Sequence, residues 1–85
     1  MSLTYVIKSY ETDTEDSSKT RVGFYVTDAQ GNQLAVDKLV TTGSKSKQTI
    51  VTEASNAAQD EINDWASQFE VVGKTWNPDT NSIEN

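Results

Sequence analysis

Alternation of apolar and polar residues dominates the first half of the chain, and a helical repeat dominates the second. Residues 3–10, LTYVIKSY, are rich in β-branched and aromatic side chains and predict a strand. The stretch 11–19, ETDTEDSSK, has no apolar residue and predicts a loop. In 20–28, TRVGFYVTD, the residues Val22, Phe24 and Val26 alternate with Arg21, Gly23, Tyr25 and Thr27, the signature of a half-buried strand. AQGN (29–32) predicts a turn, with Gly31 and Asn32 suited to positive φ. A third strand, 33–41, puts Leu34, Val36 and Val40 on one face. Lys38 falls on that same face and Leu39 does not, which suggests a bulge near Asp37–Lys38 or the end of the sheet. The three strands predict an antiparallel meander.

After the polar connection that begins at 42, the period changes. Val51, Ala54, Ala58, Ile62, Trp65 and Phe69 are spaced 3, 4, 4, 3 and 4 apart, one stripe of an α-helix. Its start lies between 47 and 53. The β-branched TIVT (49–52) is either the first turn or an extended lead-in, in which case Thr52 is the N-cap. Trp65 and Phe69 are expected in the core. EVVGKTW (70–76) predicts a fourth strand. In NPDTNS (77–82), Pro78 opens a turn and Asn81 suits the left-handed conformation. A six-residue loop there pairs Trp76 with Ile83, Thr75 with Glu84 and Lys74 with Asn85. The fold expected is α+β: one domain over 1–85, with an antiparallel sheet of four to five strands and one amphipathic helix on one face, in the order β-β-β-α-β followed by a closing β hairpin.

The segment KTWNPDTNSIEN (74–85) resembles the second hairpin of the IgG-binding domain of streptococcal protein G, and more closely peptides designed from it with a WNPATGK turn. WNPDT matches, and Asn81 stands where those have Gly. The resemblance spans about a dozen residues at the level of a turn and implies no function.

Charge separates the chain into two parts. The net charge is −6, yet residues 1–48 carry six acids and six bases. Residues 49–85 hold seven acids against Lys74 alone. Such a surface repels phosphate, so direct nucleic-acid binding and anionic membranes are not expected. No basic leader and no long apolar run is present, which predicts a soluble protein of the cytoplasm, or of a host cytoplasm or virion if phage-encoded.

The chain has no His and no Cys. That removes the usual general base at neutral pH, the usual nucleophile pairs and zinc sites. The four glycines are isolated, so no phosphate cradle forms. Asp13, Glu15 and Asp16 lack the alternating ligands, mid-loop Gly and flanking helices of a calcium loop. An enzyme, a cofactor and a metal are therefore not expected. The interaction candidates are Trp76, which would anchor a partner at the hairpin neck, Tyr25 and Arg21 on the sheet face opposite the helix, and Asp60, Glu61 and Asp64 on the helix.

Three readings follow. The first is a structural or assembly protein that packs through its open sheet face, with a protein partner or by self-association. The Ser/Thr/Asn-rich strands, the lack of His and Cys, the short length and the hairpin finish resemble small bacteriophage-encoded proteins such as minor virion or accessory components. The alternative is an acidic inhibitor that imitates the charge of nucleic acid and docks its helix on a basic DNA- or RNA-binding protein. A third is an adaptor that adds a peptide to an exposed strand edge.

Overall fold

A computed structural model describes residues 2–84. The chain runs β1 (Thr4–Thr12), β2 (Lys19–Thr27), β3 (Gln33–Thr41), α1 (Lys47–Ala57), α2 (Gln59–Ser67), a 3-10 turn at Gln68–Glu70, β4 (Thr75–Asn77) and β5 (Ser82–Glu84). The class is α+β as expected, but the strands divide into two sheets. β1–β2–β3 form an antiparallel meander, and β4–β5 form a separate two-stranded hairpin. The sequence-based fourth strand at 70–76 is thus corrected. The helix tightens into a 3-10 turn at its end, and two short turns follow, closed by Val72 N–H donating to Phe69 O (3.3 Å) and Lys74 N–H donating to Val71 O (3.1 Å). Gly73 takes φ +88°, which turns the chain away before it can run back along the sheet.

Register explains the core. Val22, Phe24 and Val26 on the central strand pair with Lys38, Val36 and Leu34 on β3, and with Tyr10, Ile7 and Tyr5 on β1. Paired residues share a face, so these nine side chains all stand on the helix side. Above them the helical segments bury Ile50, Ala54, Ala58, Ile62 and Ala66. Three of the five are alanines, which lets the helix backbone lie close to the sheet. The expected stripe is recognisable, displaced at its ends: Val51, Trp65 and Phe69 are only half-buried, while their neighbours Ile50 and Ala66 are buried. Residues four apart drift about 40° per step around a straight helix, so the buried line crosses from one flank of the stripe to the other. Trp65 and Phe69 instead stack edge to face at 5.5 Å on the helix flank.

Three other expectations are resolved. Residues 49–52 lie within α1, and the cap is Ser46, whose hydroxyl accepts from Thr49 N–H at 3.2 Å. Thr52 is therefore not the cap. The single expected helix is two segments that meet at Ala58, where φ −89° and ψ −5° depart from the α values. No bulge occurs at Asp37–Lys38, since β2 and β3 pair without a break. The irregularity is in β1, between Ile7 and Ser9, where Lys8 is the extra residue.

That bulge needs Gly23. Lys8 and Ser9 both cross over Gly23, and a Cβ there would lie 2.5 Å from Ser9 Oγ and 2.9 Å from Lys8 Cε. Gly23→Ala is expected to cost about 1–3 kcal/mol, as overpacking does. Ser9→Ala should restore part of that loss in the double variant, because it removes the nearest atom. Urea unfolding of the four-member cycle checks this, and additive losses would contradict it.

Candidate functional site

The helix does not cover the whole sheet. It packs on β3 and β2 and leaves the inner face of β1 open, so Ile7 is 52% exposed and Tyr10 37% exposed on the side where a core belongs. Between β1 and α1 lies a groove of about 350 Å³, with Tyr5, Ile7 and Phe24 as floor and Val51, Thr52, Ser55 and Asn56 as the opposite wall. Beside it Gln59 Nε2 donates to Tyr5 Oη at 3.0 Å, and Tyr5 meets Phe24 edge to face at 6.0 Å. Sequence reasoning did not find this groove. The available signal was that Tyr5, Val6 and Ile7 run together on an edge strand, so both of its faces are apolar, while the helix stripe is too narrow to cover three strands.

The second open apolar surface is the C-terminal hairpin. Trp76 pairs with Ile83 and Thr75 with Glu84, as the sequence indicates. Asn77 also pairs with Ser82, so the loop is the four residues 78–81 rather than six. The pairing of Lys74 with Asn85 lies outside the described residues. Asn81 adopts φ +54°, and Asn77 organises the loop, its Oδ1 accepting from Asp79 N–H and its Nδ2 donating to Glu84 Oε1, both at 3.0 Å. The hairpin has no core beneath it. Trp76 is 56% exposed, Ile83 52% and the preceding Val72 72%. The arm lengthens the molecule to 57 Å against widths of 22 and 18 Å, with a radius of gyration of 17.2 Å. A compact chain of this length has a radius of about 12 Å.

The open sheet face does bring Tyr25 and Arg21 together, with Val6 and Leu39 beside them. It is furnished for water. Arg21 sits between Asp13 at 3.5 Å and Asp37 at 3.3 Å, and Lys8 Nζ lies 5.6 Å from the centre of the Tyr25 ring. On the helix, Asp60, Glu61 and Asp64 are all exposed, but they are not one unrelieved ridge. Glu61 pairs with Lys38, and Glu53 pairs with Lys45 at 3.0 Å. Among the described residues, Asp60 and Asp64 have no base within ion-pair distance. This accounts for Lys38 on an apolar strand face: its stem crosses the rim of the core and its ammonium reaches the helix carboxylate.

Among the described residues no three carboxylates gather into a metal-binding group, and no helix is long and apolar enough to cross a membrane. The one buried carboxylate among the described residues belongs to a turn. Asp28 accepts from Gln30 N–H (3.0 Å), Asn32 N–H (2.8 Å) and Asn32 Nδ2 (2.8 Å). These bonds, the Asn32 side chain first, hold its pKa below the ordinary 3.8, with desolvation working in the other direction. Comparison with known proteins gives no match to a family model, to a curated protein or to a solved structure.

The depressed pKa of Asp28 sets the sign of one acid effect. A carboxyl bound more tightly as its anion in the folded state adds stability above its unfolded value, and that stability is lost as pH falls through the folded value. Urea midpoints should therefore drop as pH falls below about 4, and the drop should be shallower in Asp28→Asn. An identical acid slope in Asp28→Asn would assign the loss to other carboxylates.

Proposed function

We propose that this chain is a non-enzymatic assembly protein that joins a protein partner, or copies of itself, through apolar surface presented outside its own core. The observation that carries the reading is the Trp76–Ile83 pair, displayed on a hairpin that stands off the body and buries neither residue. An isolated two-stranded hairpin is marginally stable in water, and a pair such as Trp–Ile contributes roughly 0.2–1 kcal/mol. Exposed large apolar side chains on an arm gain far more by docking than they contribute where they stand. The open face around Tyr25 and Arg21, where Val6 and Leu39 are also exposed, serves as a second contact in this reading, its apolar area interrupted by the ion pairs of Arg21. A role as a small virion or accessory component of a bacteriophage suits such a protein, and the stripped-down chemistry of the sequence supports it.

The alternative, an acidic inhibitor on a basic nucleic-acid-binding protein, draws on Asp60 and Asp64. Lysines on β3 and the following loop neutralise the adjoining Glu61 and Glu53. The remaining patch is small, so the assembly reading is preferred.

Light scattering at two protein concentrations, in low and high salt, discriminates the two. The assembly reading predicts a defined oligomer that persists in high salt, since apolar contacts are not screened. Trp76→Ala combined with Ile83→Thr should reduce it to monomer without loss of helix signal, because neither residue belongs to the core. A monomer under every condition would remove self-association from the reading. A complex with a basic partner that dissolves in salt would favour the acidic alternative.

A further inference from the structure

We propose that the hairpin 75–84 is a jointed arm. It turns as one rigid unit about residues 71–74 while the body 4–69 stays fixed, and so carries the Trp76–Ile83 pair through a range of positions. The use of such an arm rests on the assembly reading above, whereas the joint itself stands on the contacts of the hairpin. Among the described residues, the hydrogen bonds that hold 75–84 close within it. Thr75, Trp76 and Asn77 pair with Glu84, Ile83 and Ser82. Asn77 Nδ2 donates to Glu84 Oε1, Asp79 N–H donates to Asn77 Oδ1, and the Thr80 and Ser82 hydroxyls meet at 2.6 Å. Among the described residues no ion pair joins the hairpin to the body, and no hairpin residue enters the hydrophobic core.

The connection is equally spare. Residues 70–76 are all exposed. Two turns set its direction, each closed by one backbone hydrogen bond, from Val72 N–H to Phe69 O at 3.3 Å and from Lys74 N–H to Val71 O at 3.1 Å. An exposed hydrogen bond exchanges readily with one to water, and a segment without buried apolar contacts opens locally far more easily than a core. Gly73, at φ +88°, has no Cβ to narrow its choice of φ and ψ. Hinges are made of a few such residues at the end of an element. On the body side, Phe69 is half-buried and stacks edge to face on Trp65 at 5.5 Å, which fixes one end of the joint. On the far side the cross-strand pairs stiffen the hairpin. A short soft link between two ordered units is a joint rather than a frayed end.

Charge does not tether the arm either. Asp79 and Glu84 on the hairpin, and Asp60 and Asp64 on α2, have no basic partner among the described residues. Like charge on both sides of the joint gives the hairpin nothing to fold back on along the helix. An arm of this kind matches its apolar pair to a partner surface whose angle is not fixed in advance. In exchange, only a fraction of its orientations is competent to dock, and the apparent affinity falls by that fraction.

Amide residual dipolar couplings test the joint in the full chain, at a concentration where light scattering gives the mass of one chain. They average over motion from picoseconds to milliseconds, the range open to a hinge. The couplings of 75–84 should be at least about twofold smaller in magnitude than those of β1–β3 and the two helices, as hinge motion on these timescales requires. Nuclear Overhauser contacts between Trp76 and Ile83 should persist and show that the hairpin is intact. Gly73→Pro, at an exposed position outside every element, fixes φ there and restricts Val72 as well, so it should bring the arm's couplings up toward those of the body. A single alignment of equal magnitude for arm and body would overturn the joint and leave the assembly reading standing. Reduced couplings without the Trp76–Ile83 contacts would show an unpaired tail, and reduced couplings unchanged by Gly73→Pro would put the motion outside 71–74; either result overturns the proposal too. The assembly reading is judged separately, by the oligomer mass in high salt at higher concentration, whichever way the couplings fall.

Discussion

The packing of one alanine-rich helical face on the central strand organises everything else in this protein. Val22, Phe24 and Val26 meet Ala54, Ala58 and Ile62, and all six are within 2% of complete burial. Each larger side chain contributes on the order of 1.5–3 kcal/mol by leaving water. A chain of this length has few such residues, and most of the usable ones are committed to this single contact. The helix therefore covers two strands well rather than three poorly. The exposed inner face of β1 and the groove beside it follow from that economy of apolar area.

The second consequence lies at the end of the helix. Once Ala66 is buried there is no more sheet beneath the chain, and Phe69, Val71 and Val72 come after it with nothing to cover them fully. Gly73 and the two turns around it redirect the chain into a hairpin that brings its own pairing but no core. The result is an elongated molecule whose apolar surplus is distributed at two places, the groove and the arm. Those two places hold the apolar area that the body's own core does not cover.

Electrostatics has a subordinate part. The acidic excess falls in the second half of the sequence, yet space mixes the two halves. Lys38 and Lys45, from the neutral half, lie against Glu61 and Glu53. Exposed pairs of this kind contribute little to stability. Their effect is to reduce the acidic surface of the helix to Asp60, Asp64 and the loop carboxylates, which is why apolar surface rather than charge leads the functional reading.

Much of this was legible in the sequence, because local patterns carry it. The alternation in β2 and β3, the turn at Gly31, the Trp76–Ile83 pairing and the left-handed Asn81 each depend on residues close in the chain. The sequence alone also determined that the helix carries one apolar face. What it did not determine was which strands that face covers and whether β4 and β5 join the main sheet. Those outcomes depend on comparing distant contacts: a helix of finite width lies where the most apolar area is, over β2 and β3, and a hairpin joins a sheet only if the chain leading to it turns back. The placement of Lys38, the groove beside β1 and the isolated arm belong to that long-range balance, and only the tertiary structure decided them.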